Sequence, residues 1–284
     1  MNNLQVLAIG LGLAGHYALV AVGFALIFAT LRIFHIAHGT VFITAGYVFF
    51  LLHRAQGIGL LPSGVFAVAV AALLGLAIDK AVYLPILRRG GGMFSVFIAS
   101  LGVSLIFEAG FLAYTKGVVS VARTGMLDIL TAGSVTVRSL DLAVLAIVAM
   151  VYGLLYLWLH RTKVGLEVRG LTDNGPLAAV VGVNVDRTRT HIFLLASALA
   201  GVAGVLTAYD MGIGPDTGTR TLFVAVVAVI LGGMRNLLLG AIIGSVALGI
   251  LTAYAGFYFP EWLTFSVFIT MILLILVRPQ GLFG

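Results

Sequence analysis

The sequence predicts an all-α integral membrane protein, a polytopic bundle of about eight to nine transmembrane helices that includes a short half-helix or re-entrant segment. Two observations carry that prediction. Hydrophobic residues make up 61% of the 284 positions and charged residues only 9%, where a water-soluble domain carries about a quarter charged residues. The apolar residues also fall in runs that approach the ~20 residues needed to cross a bilayer. With so few charges the chain cannot coat its own surface, so lipid is the solvent for most of it.

Apolar runs lie near 4–30, 39–53, 62–84, 93–114, 141–160, 191–210, 237–257 and 262–277. The stretch 221–234 is apolar but short, which suits a half-helix or a segment that dips in and returns. No linker separates these runs, so one transmembrane domain is expected over 1–284. The first run follows no basic leader, and is expected to remain as a helix rather than be cleaved.

Lysine and arginine favour cytoplasmic loops. With the N-terminus outside and 221–234 crossing, Arg32, Lys80, Arg88, Arg89, Arg161, Lys163, Arg169, Arg187, Arg189, Arg235 and Arg278 fall inside, against Arg54, Lys116, Arg123, Arg138 and Arg220 outside; if 221–234 dips in and returns, the C-terminus lies outside. The net charge of +6 is thus distributed as loop clusters and predicts contact with lipid, not nucleic acid. Residues 115–140 are rich in Gly, Ser, Thr and Val and read as an external loop with turns or a hairpin. Residues 161–190 hold the densest charge of the chain and read as a cytoplasmic loop. Within it Pro176 suits the first turn of a short helix, with Asp173 or Asn174 as its N-cap.

Catalysis finds no support. The chain has no phosphate-cradling G-x-x-x-x-G-K-[ST] loop, no H-E-x-x-H and no nucleophile elbow, and the absence of cysteine removes thiol chemistry. It is expected to be non-enzymatic, with no cofactor or metal of its own. His35 and His38 are spaced as metal ligands can be, but no third ligand is near. The preferred reading is a tight inner turn with Arg32. Glu108 is the most isolated acid in any run, and membrane carboxylates are functional candidates; it could equally reach water or an arginine. Asp79 with Lys80 reads as interfacial at an inner helix end, and Asp210 as facing an outer vestibule. Small residues four apart (Ala196, Ala200, Gly204; Gly240, Gly244) indicate close helix packing, or the lining of a narrow conduit.

Four stretches carry a family resemblance: "YALVAVGFALIFATLRIFHIAHGTVFITAGYV" (17–48), "RTKVGLEVRGLTDNGPLAAVVGVNVDRTR" (161–189), "LGGMRNLLLGAIIGSVALG" (231–249) and "VRPQGLFG" (277–284). In this order, over nearly the whole length, the chain resembles the branched-chain amino acid permeases of bacterial ABC importers. It departs from them at His35, where asparagine is usual, and near Pro176 and Leu177, where an acidic residue is usual. The resemblance implies a multi-pass subunit of the bacterial inner membrane. Its partners would be a second, related permease chain, two cytoplasmic ATP-binding subunits that hold ATP and Mg, and a periplasmic solute-binding protein.

It also implies a coupling helix in the inner loop, carried onto Asp173, Asn174, Leu177, Ala178, Gly182 and Val183. The region after the first run would approach the conduit, hence His38, Gly39, Phe42 and Gly46. With few charges in the runs, the path is expected to be lined by small polar groups, for which Thr44, Ser100, Ser104 and Ser197 are the candidates. The competing reading is an ion-coupled secondary transporter or a passive channel. The secondary transporter would require inverted repeats and mid-span acids, of which only Glu108 qualifies, and the channel would show flux without ATP.

Overall fold

Proline, glycine and the lengths of the apolar runs decide where the chain turns. The computed structural model describes residues 3–123, 128–132, 135–233 and 237–262, with six single positions between 265 and 276. Its helices are α1 (Asn3–Leu31), α2 (His38–Phe50), α3 (Leu60–Ile78), α4 (Leu84–Arg88), α5 (Met93–Thr115), α6 (Ser139–Arg161), α7 (Lys163–Val180), α8 (Val185–Asp210), α9 (Thr217–Gly232) and α10 (Leu237–Tyr258). Two strands, β1 (Ile129–Ala132) and β2 (Val135–Arg138), pair antiparallel as the hairpin expected in 115–140.

Among the described residues six helices are long and apolar enough to cross a membrane: α1, Leu60–Arg88, α5, α6, α8 and α10. The chain is therefore a multi-pass membrane protein. Two of the expected runs form shorter helices, α2 with 13 residues and α9 with 16. The last run, 262–277, and the basic residues Arg235 and Arg278 lie outside the described residues, apart from single positions.

The span Leu60–Arg88 is continuous because a π turn, Asp79–Tyr83, joins α3 to α4. Pro85 has no N–H and its ring would strike the carbonyl four residues back. The wider π turn relieves that conflict, with the Leu84 N–H donating to the Asp79 carbonyl. A second π turn, Leu51–Ala55, ends α2. α1 stops at Arg32, whose φ of 57° places it in the left-handed region and turns the chain into the link 32–37.

The helices form two compact units. One comprises the described residues of 1–25, 125–153 and 223–284, and the other 26–124 and 154–222. In the first, the small-residue stripe of α10 packs backbone against backbone: a Cβ on Gly244 would run into the Ala228 carbonyl, and one on Gly249 would lie 2.7 Å from the Ala14 nitrogen. The Tyr152 hydroxyl donates to the Ala18 carbonyl at 2.9 Å, and Gln5 pairs with the Thr136 backbone. In the second unit α2, α3 and α8 pack against one another. Ala196 and Ala200 are fully buried, and Gly201 meets Ala71 and Val68. Both stripes thus serve helix contact, the first of the two readings of their spacing. Outward faces of α3 and α5 carry exposed Leu61, Val65, Leu73, Phe94 and Ile106, which in water would be an aggregation surface and in lipid is the expected exterior.

Candidate functional site

The second unit holds both sequence-predicted sites. In the link 32–37 Ile33, His35 and Ala37 are buried while Arg32 is exposed. His35 and His38 are both fully buried, their rings 5.6 Å apart, and His35 also packs edge-on against Tyr83 and Phe193. The Tyr83 hydroxyl donates to Ser100 Oγ at 2.6 Å, and Ser100 Oγ also accepts the Ala37 N–H at 2.9 Å. Since the Tyr83 proton is committed to Ser100, the 2.8 Å contact from His35 Nδ1 to the phenol oxygen is made by Nδ1–H. Burial, reinforced by His38, pushes the His35 imidazole well below the ordinary histidine range, so it acts as a neutral donor. Among the described residues no group of three His, Cys, Asp or Glu could hold a metal.

This network joins the link, the π turn and α5. Tyr83→Phe strands the His35 Nδ1–H and removes one donor to Ser100. It should cost about 1–3 kcal/mol, the range for a buried polar group left unpaired. Thermal unfolding of the detergent-purified protein measures this, and an unchanged midpoint would contradict the network's role.

Other conduit candidates are close-packing positions. A Cβ on Gly39 would enter the Gly218 carbonyl, and one on Gly218 the Gly39 carbonyl. Gly46 lies against Ile213 and the Gly204 carbonyl, and Phe42 is fully buried with its own carbonyl against Gly204. Ser197 is fully buried beside Gly75. Thr44 is half-buried and its hydroxyl donates to the Thr40 carbonyl at 2.7 Å. Ser104 lines a small crevice with Gly39, Thr40, Ile43, Glu108, Pro215, Gly218 and Thr219.

The second site is built by α7. Thr162 caps its start, accepting the Gly165 N–H at 2.9 Å. At Asn174 the backbone leaves helical geometry (φ −154°, ψ 92°), and Asn174 Oδ1 accepts the Leu177 N–H at 3.1 Å. Asn174, not Asp173, is therefore the N-cap of the short helix, and Pro176 sits in its first turn where its missing N–H costs nothing. Gly182 ends that helix with φ 99°, open to glycine without strain, and the Val183 N–H returns to the Ala178 carbonyl at 3.0 Å. Asp173, Asn174, Leu177, Ala178 and Val183 line one groove of about 390 Å³ together with Leu166, Glu167, Gly170 and Val181. The sequence places this region in a loop, yet it is almost wholly helical, and α8 already begins at Val185.

Two acids differ from expectation. Asp79, expected at an inner helix end beside Lys80, is fully buried in protein, and Arg189 Nε donates to its Oδ1 at 2.7 Å. Asp210 is 6% exposed and so does not face an open vestibule. Sequence reasoning gave Tyr83, Thr40 and Thr219 no role and placed Arg189 only among the inner basic residues. The contacts of Arg189, Tyr83 and Thr219 reach residues 110, 48 and 111 positions away, beyond what local spacing exposes.

Comparison with known proteins bears on this arrangement. Residues 6–277 match the family described as branched-chain amino acid transport system / permease component. The high-affinity branched-chain amino acid transport system permease protein LivH of Escherichia coli (strain K12) is 28% identical over 299 residues, covering 99% of this chain and 95% of that protein. Its counterpart BraD of Pseudomonas aeruginosa is 25% identical over 298 residues, covering 100% and 96%. Among solved structures, PsaBC from Streptococcus pneumoniae in complex with Fab superposes with a TM-score of 0.52 at 14% identity, over 99% of this chain and 93% of that one. At that identity the likeness concerns the fold alone.

Proposed function

The chain belongs to the family of branched-chain amino acid transport system permease components, and from that premise we propose that it is the permease subunit of an ATP-driven ABC importer. It forms half of a translocation path for branched-chain amino acids or related small polar solutes. Its setting is the inner membrane. Its partners are a second permease chain, two ATP-binding subunits that carry ATP and Mg, and a periplasmic solute-binding protein. The chain itself catalyses nothing and holds no cofactor.

The observation that carries this reading is the broken helix α7. Asn174 starts a short capped helix that leaves Leu177, Val180 and Val181 exposed at 58%, 84% and 71%, beside the groove. Such a tip, on the most charged segment of the chain, suits docking to a soluble subunit: the apolar side chains anchor while Lys163, Arg169 and Asp173 form a polar rim. Asp173, Asn174, Leu177, Ala178, Gly182 and Val183 are accordingly the coupling residues. The groove's continuity with α8 links docking to the membrane helices, since the Thr188 hydroxyl donates to Glu167 Oε2 on α7 at 2.6 Å.

On this reading α2 and α9 are half-spanning helices, which with the run 262–277 restores a bundle of eight to nine segments in one permease domain over 1–284. Residues 161–190 are cytoplasmic and 115–140 external. The path is lined by Ser104, Gly39 and Thr44. His38, Phe42, Gly46, Ser100 and Ser197 stand behind it and fix its shape.

Leu177→Asp tests the docking. It should leave the second permease bound but reduce co-purification of the ATP-binding subunit, and ATP-dependent transport, by about tenfold, the effect of removing one anchor worth ~1–2 kcal/mol. Full retention of both would remove α7 from the interface.

A further inference from the structure

Glu108 is a carboxylate set well inside the span Met93–Thr115, an expensive position unless something uses it. Around it three helices meet. α5 supplies Ser104 and Glu108, the start of α2 supplies Gly39, Thr40 and Ile43, and Pro215, Gly218 and Thr219 come from the start of α9 and the link before it. The contact of Gly39 with Gly218 brings the two helix starts together without side chains between them. What remains is a crevice of about 10 Å³, open on one side. That is room for one water-sized group.

Its polar groups are incompletely used. The Thr219 hydroxyl donates to Glu108 Oε2 at 2.7 Å, and no other donor reaches the carboxylate among the described residues. Thr40 and Ser104 are 3% and 6% exposed, and neither hydroxyl makes a hydrogen bond among the described residues. No lysine or arginine lines the crevice. Arg220, next to Thr219, is held by Asp216 at 2.7 Å. A single neutral hydrogen bond leaves a carboxylate charge in an apolar span uncompensated. A small cationic donor would supply that compensation.

We propose that the crevice is a transient binding site for a primary ammonium group, that of the amino acid in transit. The assignment of cargo rests on the reading under Proposed function. An –NH₃⁺ head has three donors and the bulk of one water. Glu108 meets the charge, and the Thr40 and Ser104 hydroxyls take the remaining donors. One carboxylate is too few for a divalent cation, which takes six or more oxygen ligands. The crevice excludes the aliphatic side chain, so it reads the backbone end of the cargo and not its identity. Binding at one small group is weak, as passage requires.

The chain has no cysteine, so Ser104→Cys gives it a single reporter, read in the assembled complex in native membranes. Labelling of this chain is followed by mass, comparing the cationic aminoethyl methanethiosulfonate with its anionic sulfonatoethyl counterpart, each normalised to its rate with a free small thiol. The cation should react about tenfold faster, the scale of electrostatic focusing by one cleft charge. Glu108→Gln in the same background should bring the ratio close to one. L-leucine in excess should slow the cation, and its 2-oxo counterpart, which lacks the ammonium, should not. Equal normalised rates, a preference that survives Glu108→Gln, or equal protection by both compounds would overturn the proposal. Thr40→Cys gives the same readout from α2 if Ser104→Cys does not assemble. ATP-driven uptake by the parent complex reads the importer assignment separately, so the failure of either idea is recognisable by itself.

Discussion

Replacing Asp79 by alanine destabilises the protein by about 3–5 kcal/mol, the cost of leaving one member of a buried ion pair without its partner. The carboxylate is fully buried and the Arg189 side chain is 8% exposed. Arg189 donates from both Nε and Nη2 to the same Oδ1, and its guanidinium lies 5.5 Å from the Phe193 ring centroid. Lys80 stands at 4.0 Å and is 38% exposed, so it contributes little shielding. With Asp79 gone, the guanidinium keeps its aromatic neighbour but loses its counter-charge in a site closed to water. Asp186→Ala is the matched control. It breaks the Arg88–Asp186 bridge of 3.1 Å, whose side chains are 66% and 60% exposed, and pairs of that kind are worth about 0–1 kcal/mol. Unfolding midpoints of the two variants in one detergent, measured side by side, decide the matter. Equal losses would contradict the burial argument. The position also matters for coupling, because Arg189 follows Thr188 at the α7–α8 joint and ties that joint to the π turn of the span Leu60–Arg88.

Gly204→Ala should cost about 1–3 kcal/mol, although it adds one methyl group and improves helix propensity. The new Cβ would enter the Phe42 carbonyl and lie 3.3 Å from the Ala45 Cβ. Backbone cannot step aside as a side-chain tip can, so α2 and α8 must separate. Since α2 also meets α9 at Gly39, the shift would reach the Glu108 crevice. Gly102→Ala on α5 makes the same chemical change where nothing lies within 4 Å, and should lose no stability. Thermal unfolding of both, together with cargo uptake, checks this. A Gly204→Ala protein as stable and active as Gly102→Ala would mean that the helices are not in backbone contact.

The features that were legible in the sequence are local ones. The Asn174 cap, Pro176 in the first helical turn and the hairpin within 115–140 depend on residues within a few positions of one another, and spacing alone exposes them. Most span limits came within a few residues for the same reason, because a run of apolar residues is a local property. The small-residue stripes announced close contact but not their partners: Gly204 meets Phe42, and Gly244 meets Ala228. The polar pairs were out of reach. Asp79 and Arg189 are separated by 110 positions, and Thr219 and Glu108 by 111. Nothing in a hydropathy pattern distinguishes a charge at a helix end that faces water from one that turns inward. The burial of Asp79 was hidden on that account. His35 and Ser100 were noticed as polar, but the phenol that joins them sits at Tyr83 in a π turn. Only its proximity to Pro85 hinted that the helix there is irregular.

The most direct test of the account is uptake by the complex purified from native membranes and reconstituted into vesicles. ATP and Mg are enclosed with the nucleotide-binding face inside, and labelled L-leucine is supplied outside with the solute-binding protein. The account predicts accumulation against a gradient that requires both ATP and the binding protein and is lost with Leu177→Asp. Equilibration without ATP, or accumulation driven by a proton or sodium gradient in its absence, would contradict it.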